Sequence, residues 1–204
     1  MKRALLLVDV QPTFCEGGAL AVEGGNAVAE RIARYVAEQG SNYDLIATSQ
    51  DWHIEPGDHF ATDPDFIDTW PPHGVAGTPE AELHPALASL RADISVKKGH
   101  YSAAYSAFEG VTEDEGCLSD GLRAAQIEAL DVVGIAESHC VLQSCLDAVE
   151  EGWPVRCLSD LTVPVSEDLG AAARERMREA GVELVDSSQA FPGEGSGGCG
   201  CGCR

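Results

Sequence analysis

Basic residues are scarce in this chain of 204 residues. It has 13 lysines and arginines against 34 aspartates and glutamates, which gives a formal net charge of −21. A surface this acidic repels phosphate groups, so nucleic acid and anionic membranes are excluded as expected partners. Only three residues are lysines, and two of them, Lys97 and Lys98, are adjacent. Chance can place such a pair on a surface, but in this composition it marks a candidate functional position.

Long apolar runs are missing as well. No stretch reaches membrane-spanning length, and the first residues lack the apolar core and cleavage site of a signal peptide. The eight cysteines do not form the pattern of a secreted disulfide framework, because three lie in the last six residues and the others lie in apparent core or site segments. We therefore expect a cytoplasmic protein.

Short apolar runs alternate with segments of helical periodicity along most of the chain. This order predicts an α/β fold, a three-layer αβα sandwich with a six-stranded, mainly parallel sheet. The length suits one domain, which we assign to residues 1–192. Strands are expected at 4–8, 44–48, 94–97, from 131, and at 155–158 and 182–185; helices are expected at 26–39, 118–126, from Ser138 to Gly152, and at 166–180.

Two segments depart from short connections. Residues 51–80 form a long loop rich in Pro and Gly, and loops of that length in a compact domain are usually functional or disordered. Trp52 and Trp70 argue against disorder here. Residues 193–204 form a Gly/Ser stretch that contains Cys199, Cys201 and Cys203. We interpret it as a flexible tail, with capture of a soft metal as the alternative.

Cys140 is the main candidate for chemistry. It follows an apolar strand and lies in the first turn of a predicted helix, for which Ser138 is a suitable N-cap. Open α/β sheets place their sites beyond the carboxyl ends of strands, and a helix N-terminus stabilises a thiolate. A small buried residue is the alternative for any unpaired cysteine. Cys145 and Cys157 have core-like positions, whereas Cys15 lies in a glycine-rich loop and is harder to exclude.

Three further groups lie at the ends of other predicted strands. Asp9 ends the first strand, where a carboxylate either serves a site or caps a loop. Asp51 and His53 are two residues apart at the end of the second strand, and His59 and His73 follow in the loop. Carboxylate and imidazole together suit Mn, Fe, Co or Zn, although unrelated loop histidines would give the same pattern. The lysine pair ends the third strand.

Several motifs, in one order along the chain, resemble bacterial nicotinamidases, also called pyrazinamidases, which belong to the isochorismatase-like cysteine hydrolases. The resemblance covers residues from about 4 to 188. It rests on Leu-Val-Asp-Val-Gln at 7–11, Asp-Trp-His at 51–53, Trp-Pro-Pro-His at 70–73, Lys-Gly at 98–99, Ala-Tyr-Ser-Ala-Phe-Glu-Gly at 104–110 and Gly-Ile-Ala-Glu-Ser-His-Cys-Val at 134–141.

The resemblance implies a role for each matching residue. It implies a catalytic triad of Asp9, Lys98 and Cys140, and a cis peptide bond between Ile135 and Ala136 that directs the Ala136 N–H, with that of Cys140, at the oxyanion. One divalent transition metal ion (Zn, Fe or Mn) is expected on Asp51, His53, His59 and His73. The residues that match the substrate pocket are Phe14, Trp70, Tyr105 and His139.

The implied reaction is hydrolysis of nicotinamide to nicotinate and ammonia through a thioester, as in NAD salvage, with pyrazinamide as a further expected substrate. In this hypothesis a helix terminus and Lys98 lower the pKa of Cys140, and Asp9 transfers the protons. The partner is a small molecule, and the pattern does not distinguish a monomer from a homo-oligomer. The family often has Asp where Thr13 and Ser138 stand, so a loop hydrogen bond at Thr13 is in question.

Three alternatives share part of this pattern. A carbamoyl-amide hydrolase would have the triad without needing the Asp and His set, and an isochorismatase would lack the nucleophilic cysteine. A non-catalytic metal-binding protein would use the cysteines of the tail. Release of ammonia from nicotinamide, with and without added metal, distinguishes them.

Overall fold

A sheet of six parallel strands forms the centre of the structure, a computed structural model that describes residues 1–191. Its spatial order is β3-β2-β1-β4-β5-β6. The strands are β1 (Arg3–Val8), β2 (Leu45–Asp51), β3 (Ile94–Lys98), β4 (Ala129–Ile135), β5 (Val155–Val163) and β6 (Glu183–Val185). The predicted α/β class and six-stranded sheet are confirmed. The predicted tail, 193–204, lies outside the described residues.

Helices cover both faces of the sheet. They are α1 (Gly25–Gln39), α2 (Leu118–Ala124), α3 (Leu142–Glu150) and α4 (Glu167–Glu179). Alternation along β1 explains the two layers, because successive side chains of a strand point to opposite faces. Leu6 packs in a core with residues of α2, α3 and α4, whereas Leu5 and Leu7 pack in a second core with residues of α1. This is the expected three-layer sandwich.

Two strands extend further than their apolar runs predict. β2 continues past Thr48 to Asp51, because its buried polar side chains find partners: Ser49 donates to Asp9, and Gln50 donates to the Ala81 carbonyl. β5 continues past Leu158 through the polar pair at 159–160, and its register against β4 shifts between Val132 and Gly134. An irregular strand of this kind lacks the simple periodicity on which a sequence prediction depends.

The strand order reverses direction between β1 and β4. From β1 the chain moves outward to β2 and β3 on one side, and β4, β5 and β6 follow on the other. Open α/β sheets bind ligands at such a switch point, beyond the carboxyl ends of the strands. Within residues 1–191, no helix has both the length and the apolar character to cross a membrane.

Candidate active site

Four neighbouring strands deliver the candidate residues to one edge of the sheet. Asp9 comes directly after β1, Asp51 ends β2 and Lys98 ends β3, while Cys140 lies in the short turn that follows β4. Parallel strands have their carboxyl ends at the same edge, which brings these side chains together. Asp9, Lys98 and Cys140 are all buried.

Asp9 is held on two sides. Its backbone has a positive φ of 48°, in the left-handed region that Asp tolerates better than most residues. Ser49 donates a hydrogen bond of 2.7 Å from Oγ to Asp9 Oδ1. Oδ2 lies 3.0 Å from the Lys98 ammonium. The carboxylate is therefore oriented by one residue of β2 and one residue of β3.

The two adjacent lysines point in different directions. Lys98 is 1% exposed, and its Nζ lies 3.7 Å from Cys140 Sγ and donates to the Ala104 carbonyl at 3.2 Å. It also forms an ion pair with Asp51. Lys97 is half-buried, and its Nζ lies 3.4 Å from the centre of the Trp52 ring, a cation–π contact. Alternation along β3 thus separates a site lysine from a surface lysine.

Cys140 lies in a π-helical turn, Glu137–Val141, that connects β4 to α3. The peptide bond between Ile135 and Ala136 is cis. Ser144, one turn later, donates to the Cys140 carbonyl at 2.7 Å and accepts from the Ala107 N–H at 2.9 Å. The predicted N-cap at Ser138 is wrong: no side chain caps this turn, and the Ser138 hydroxyl instead contacts His139 and the Val165 N–H.

The expectation of a lowered thiol pKa is also wrong. Burial raises the pKa of Cys140 well above its ordinary value, and the opposing effect of Lys98 does not offset the lost hydration. Burial likewise raises the pKa of Asp9 despite Lys98. For Lys98, burial alone would lower the pKa, but the carboxylates of Asp51 and Asp9 raise it well above the usual value. The free site therefore combines a neutral thiol with a carboxylate of increased basicity.

The histidines of the long loop form a second cluster beside the triad. One ring nitrogen from each of His53, His59 and His73 lies within 4.8 Å of the other two. Asp51 Oδ2 lies 3.5 Å from His53 Nε2 and 3.6 Å from His73 Nε2. Burial would raise the pKa of Asp51, but Lys98 and the two imidazoles hold it well below its ordinary value. Asp51 thus bridges the cluster and Lys98.

This cluster fits a divalent metal ion. Nδ1 of His53 pairs with the Gly99 carbonyl at 2.6 Å, and Nδ1 of His73 pairs with the Pro71 carbonyl at 2.8 Å. A carbonyl only accepts, so both rings carry their proton on Nδ1 and turn an Nε2 lone pair toward the cluster. His53 Nε2 and a nitrogen of His59 are buried with no hydrogen-bond partner in the described part of the chain. Unpaired buried nitrogens of this kind are costly unless they bind a ligand.

Neighbouring residues fix the position of these ligands. Gly99 has a φ of +74°, and a Cβ there would lie 2.4 Å from the His53 ring, so no other residue fits against that histidine. Thr13 accepts a hydrogen bond of 3.0 Å from the Gly74 N–H, next to His73. The loop hydrogen bond in question from the sequence is therefore present, with a threonine hydroxyl as its acceptor.

Cys140 of the triad and His59 and His73 of the histidine cluster line one cavity of about 430 Å³. Phe14, Trp70, Tyr105 and His139, the four residues predicted to bind substrate, all line it. Trp70 donates from Nε1 to the Tyr105 hydroxyl at 2.9 Å, and its ring is edge-on to His139 at 5.6 Å. The cavity wall therefore combines aromatic and aliphatic side chains, with Cys140, Asp51, His59 and His73 also in its lining.

Some residues of the site escaped the sequence analysis. Gln11 donates to the Asp51 carbonyl at 2.9 Å and accepts from the Asp51 N–H at 2.8 Å, which joins β1 to β2. Glu137, 1% exposed, forms an ion pair of 2.8 Å with Arg174 of α4, and that pair ties the turn of Cys140 to a distant helix. A polar residue at the end of an apolar strand is the signal that could have identified both.

The other thiols have different surroundings. Cys145 and Cys157 are fully buried in the core, as their positions predict. Cys15, the alternative in the glycine-rich loop, is also buried, and its Sγ donates to the Gln11 carbonyl at 3.3 Å. Burial raises the pKa of Cys15 to about 11. Among the thiols at residues 1–191, Cys140 is the one that lines the cavity.

Comparison with known proteins gives relatives along almost the whole chain. The family described as the isochorismatase domain matches residues 3–189. A nicotinamidase/pyrazinamidase of Mycobacterium tuberculosis is 51% identical over 186 residues, which cover 91% of this chain and 100% of that protein. The crystal structure of a pyrazinamidase of Pyrococcus horikoshii in complex with zinc has a TM-score of 0.77 and 30% identity, over 91% of this chain and 99% of that one. An L. infantum protein in complex with nicotinate has a TM-score of 0.78 and 31% identity, over 92% and 93%.

Proposed function

The chain belongs to the isochorismatase domain family, and we propose that within it the protein is a nicotinamidase, which hydrolyses nicotinamide to nicotinate and ammonia. The observation that carries this proposal is the shared cavity. Cys140, Asp51, His59 and His73 line it together, with Asp9 and Lys98 directly behind the thiol. A nucleophile beside a metal site suits an amide whose ring also offers a nitrogen ligand.

Cys140 would be the nucleophile. The neutral thiol transfers its proton to the Asp9 carboxylate while sulfur attacks the carboxamide carbon, so the charge moves inside the triad and no free thiolate has to be buried. Asp9 then protonates the leaving nitrogen, and the tetrahedral intermediate releases ammonia to form a thioester. Asp9 next takes a proton from water, whose oxygen attacks the thioester carbonyl. Nicotinate forms, and the proton returns to sulfur.

Lys98 would hold the charges of this cycle in place. Its ammonium is 3.0 Å from Asp9 and 3.7 Å from the sulfur, so it stabilises Asp9 as a carboxylate and sulfur as a leaving thiolate. The backbone N–H groups of Ala136 and Cys140 would bind the oxyanion of each tetrahedral intermediate. Loss of one such donor typically costs about 2.7–4 kcal/mol.

Asp51, His53, His59 and His73 would hold one divalent metal ion, with Zn, Fe and Mn as candidates. When bound, it would supply a Lewis acid that orients the substrate through its ring nitrogen. The aromatic wall of Phe14, Trp70, Tyr105 and His139 would sandwich the ring and keep its carboxamide near Cys140. Pyrazinamide differs from nicotinamide by a second ring nitrogen, so we also propose it as a substrate.

The biological setting follows from the reaction. Nicotinamide is the small-molecule partner, and its conversion to nicotinate would return a breakdown product of NAD to NAD synthesis in the cytoplasm. The acidic surface, with a net charge of −21, matches a protein without nucleic-acid or anionic membrane partners.

Ammonia release by the purified protein tests the proposal. We expect turnover of nicotinamide that a chelator abolishes and added metal restores, with little change in the far-UV circular dichroism. Benzamide, which has the same carboxamide and no ring nitrogen, is the matched control and should react much more slowly. Equal rates for the two amides, or full activity in the chelator, would exclude the metal site from the reaction and favour a carbamoyl-amide hydrolase. If no amide gave ammonia, the result would favour a non-catalytic metal-binding protein.

A further inference from the structure

Ser138 connects the substrate cavity to the start of α4. Its Oγ accepts a hydrogen bond of 3.2 Å from the Val165 N–H and lies 2.9 Å from Nδ1 of His139. A hydroxyl has one proton and two acceptor positions. The Val165 N–H takes one acceptor position, so the proton of Ser138 is free for another partner.

His139 offers that partner. It lines the cavity, and burial lowers the pKa of its imidazole, which keeps the ring neutral near pH 7. A neutral imidazole has one N–H donor and one bare nitrogen. Its ring plane is held against Trp70 and Tyr105, with centroids 5.6 and 6.3 Å away. Within residues 1–191 only Nδ1 has a protein partner, so Nε2 remains for a ligand.

The two possible tautomers differ in how well they use Ser138. If Nδ1 carries the proton, it donates to the Ser138 hydroxyl, which then accepts from both Nδ1 and the Val165 N–H. In that case neither of these two groups can accept the proton of the hydroxyl. If Nε2 carries the proton, a chain runs from the Val165 N–H to Ser138 and from the Ser138 O–H to Nδ1. Each member then donates once, and successive hydrogen bonds strengthen one another.

We propose that Ser138 is a positioning residue that fixes His139 in the tautomer protonated at Nε2, and so gives the cavity one directed N–H donor. The role of this donor rests on the proposed function: it would bind an acceptor atom of an aromatic carboxamide. His139 would then contribute to specificity by hydrogen bonding as well as by stacking. An analogue that places no acceptor at this donor would bind less tightly.

Nitrogen-15 NMR of the histidine side chains tests the assignment without substrate. At about pH 8, above the usual imidazole pKa near 6.5, the wild-type His139 should show the pattern of an Nε2–H tautomer. Ser138→Thr keeps the hydroxyl and should keep the tautomer. Ser138→Ala should give a mixture. Ser138→Asp puts a carboxylate, which only accepts, beside Nδ1 and should move the proton to Nδ1.

Steady-state kinetics supply the second measurement. Ser138→Ala should raise KM for nicotinamide about threefold to tenfold, the scale of one neutral hydrogen bond, with kcat within about twofold. Ser138→Thr should restore the wild-type KM. The control is Ser159→Ala, which removes an exposed hydroxyl bonded to the Val185 carbonyl. It should change neither the tautomer nor KM.

Two results would overturn the inference: an Nδ1–H tautomer in the wild type, or a Ser138→Ala protein whose tautomer and KM match the wild type. The NMR result is independent of the reaction. The tautomer of His139 could change with the substitutions at position 138 as predicted in a protein that releases no ammonia. That result would support the tautomer assignment and overturn the proposed function.

Discussion

Nζ of Lys98 lies 3.0 Å from Oδ2 of Asp9, and neither side chain has any exposed surface. The buried carboxylate of Asp9 depends on this ammonium, because removal of Lys98 leaves Asp9 without a counter-charge and away from water. Lys98 also pairs with Asp51, so a single ammonium serves the triad and the histidine cluster together. A change at Lys98 should therefore reach both parts of the site.

The first prediction compares the two adjacent lysines. Lys98→Met keeps most of the volume and removes the charge that stabilises Asp9 as a carboxylate. We expect kcat/KM for nicotinamide to fall by roughly 10²–10⁴, the usual contribution of general acid–base catalysis, because Asp9 could no longer transfer protons efficiently. Lys97→Met removes a half-exposed ammonium over Trp52 and should stay within about threefold of the wild type. Thermal melts of both variants separate loss of chemistry from loss of folding. The reverse order of activities would contradict the role of Lys98.

The second prediction concerns the thiols. Cys140→Ala should be folded and inactive, whereas Cys15→Ala should keep its activity, because Cys15 is buried outside the cavity lining. Since the pKa of Cys15 is about 11, its thiolate fraction at pH 7 is very small and grows about tenfold for each pH unit up to that value. Mass-mapped alkylation over pH 7 to 10 should show this rise at Cys15. A Cys140→Ala protein with wild-type turnover would rule out the proposed nucleophile.

The third prediction addresses the hydrogen bond beside His73. Thr13→Val keeps the shape of the side chain and leaves the Gly74 N–H, bonded at 3.0 Å in the wild type, without its acceptor. A buried unsatisfied group costs about 1–3 kcal/mol, so the loop should loosen and metal affinity should fall. Thr78→Val is the control, because its exposed hydroxyl only donates to the nearby Val75 carbonyl. Metal titration by calorimetry measures both variants, and equal affinities would show that Thr13 does not support the site.

The fourth prediction concerns a buried network around Asp131, at the end of the strands opposite the site. Asp131 is fully buried and accepts from Arg3 at 2.6 Å, from Arg156 at 2.6 and 2.8 Å, and from the Tyr43 hydroxyl at 2.7 Å. Asp131→Ala removes the carboxylate that Arg3, Arg156 and Tyr43 share and leaves the two guanidinium groups without their counter-charge, so it should lower the free energy of unfolding by about 3–5 kcal/mol. Urea titration measures this loss. The kcat of the folded fraction should be unchanged, because the network is remote from Cys140.

Asp44→Ala is the matched control for that network. Asp44 accepts only at an exposed position, from the Arg3 N–H at 2.8 Å, so its removal should change stability far less. Equal losses for the two variants would mean that the buried network contributes no more than a surface contact. A large fall in kcat for Asp131→Ala would mean that the two ends of the sheet are coupled.

The sequence by itself determined the fold class and the edge of the sheet that carries the site. Alternation of apolar runs with helical periodicity is a local property, and parallel strands necessarily end at one edge, so Asp9, Asp51 and Lys98 could be grouped without coordinates. The resemblance to the nicotinamidases grouped the histidines of the long loop. The fold class needs only local periodicity, whereas the histidine set depended on matching the order of motifs to a known family.

Tertiary structure decided what depends on distant residues. The raised pKa of Cys140 follows from burial and from the carboxylates of Asp9 and Asp51, whereas a helix terminus and Lys98 predicted the opposite sign. Ser138 looked like an N-cap, yet its hydroxyl bonds to Val165, a residue 27 positions away. Desolvation and hydrogen-bond choice are set by whatever packs around a group, and local periodicity carries no information about that.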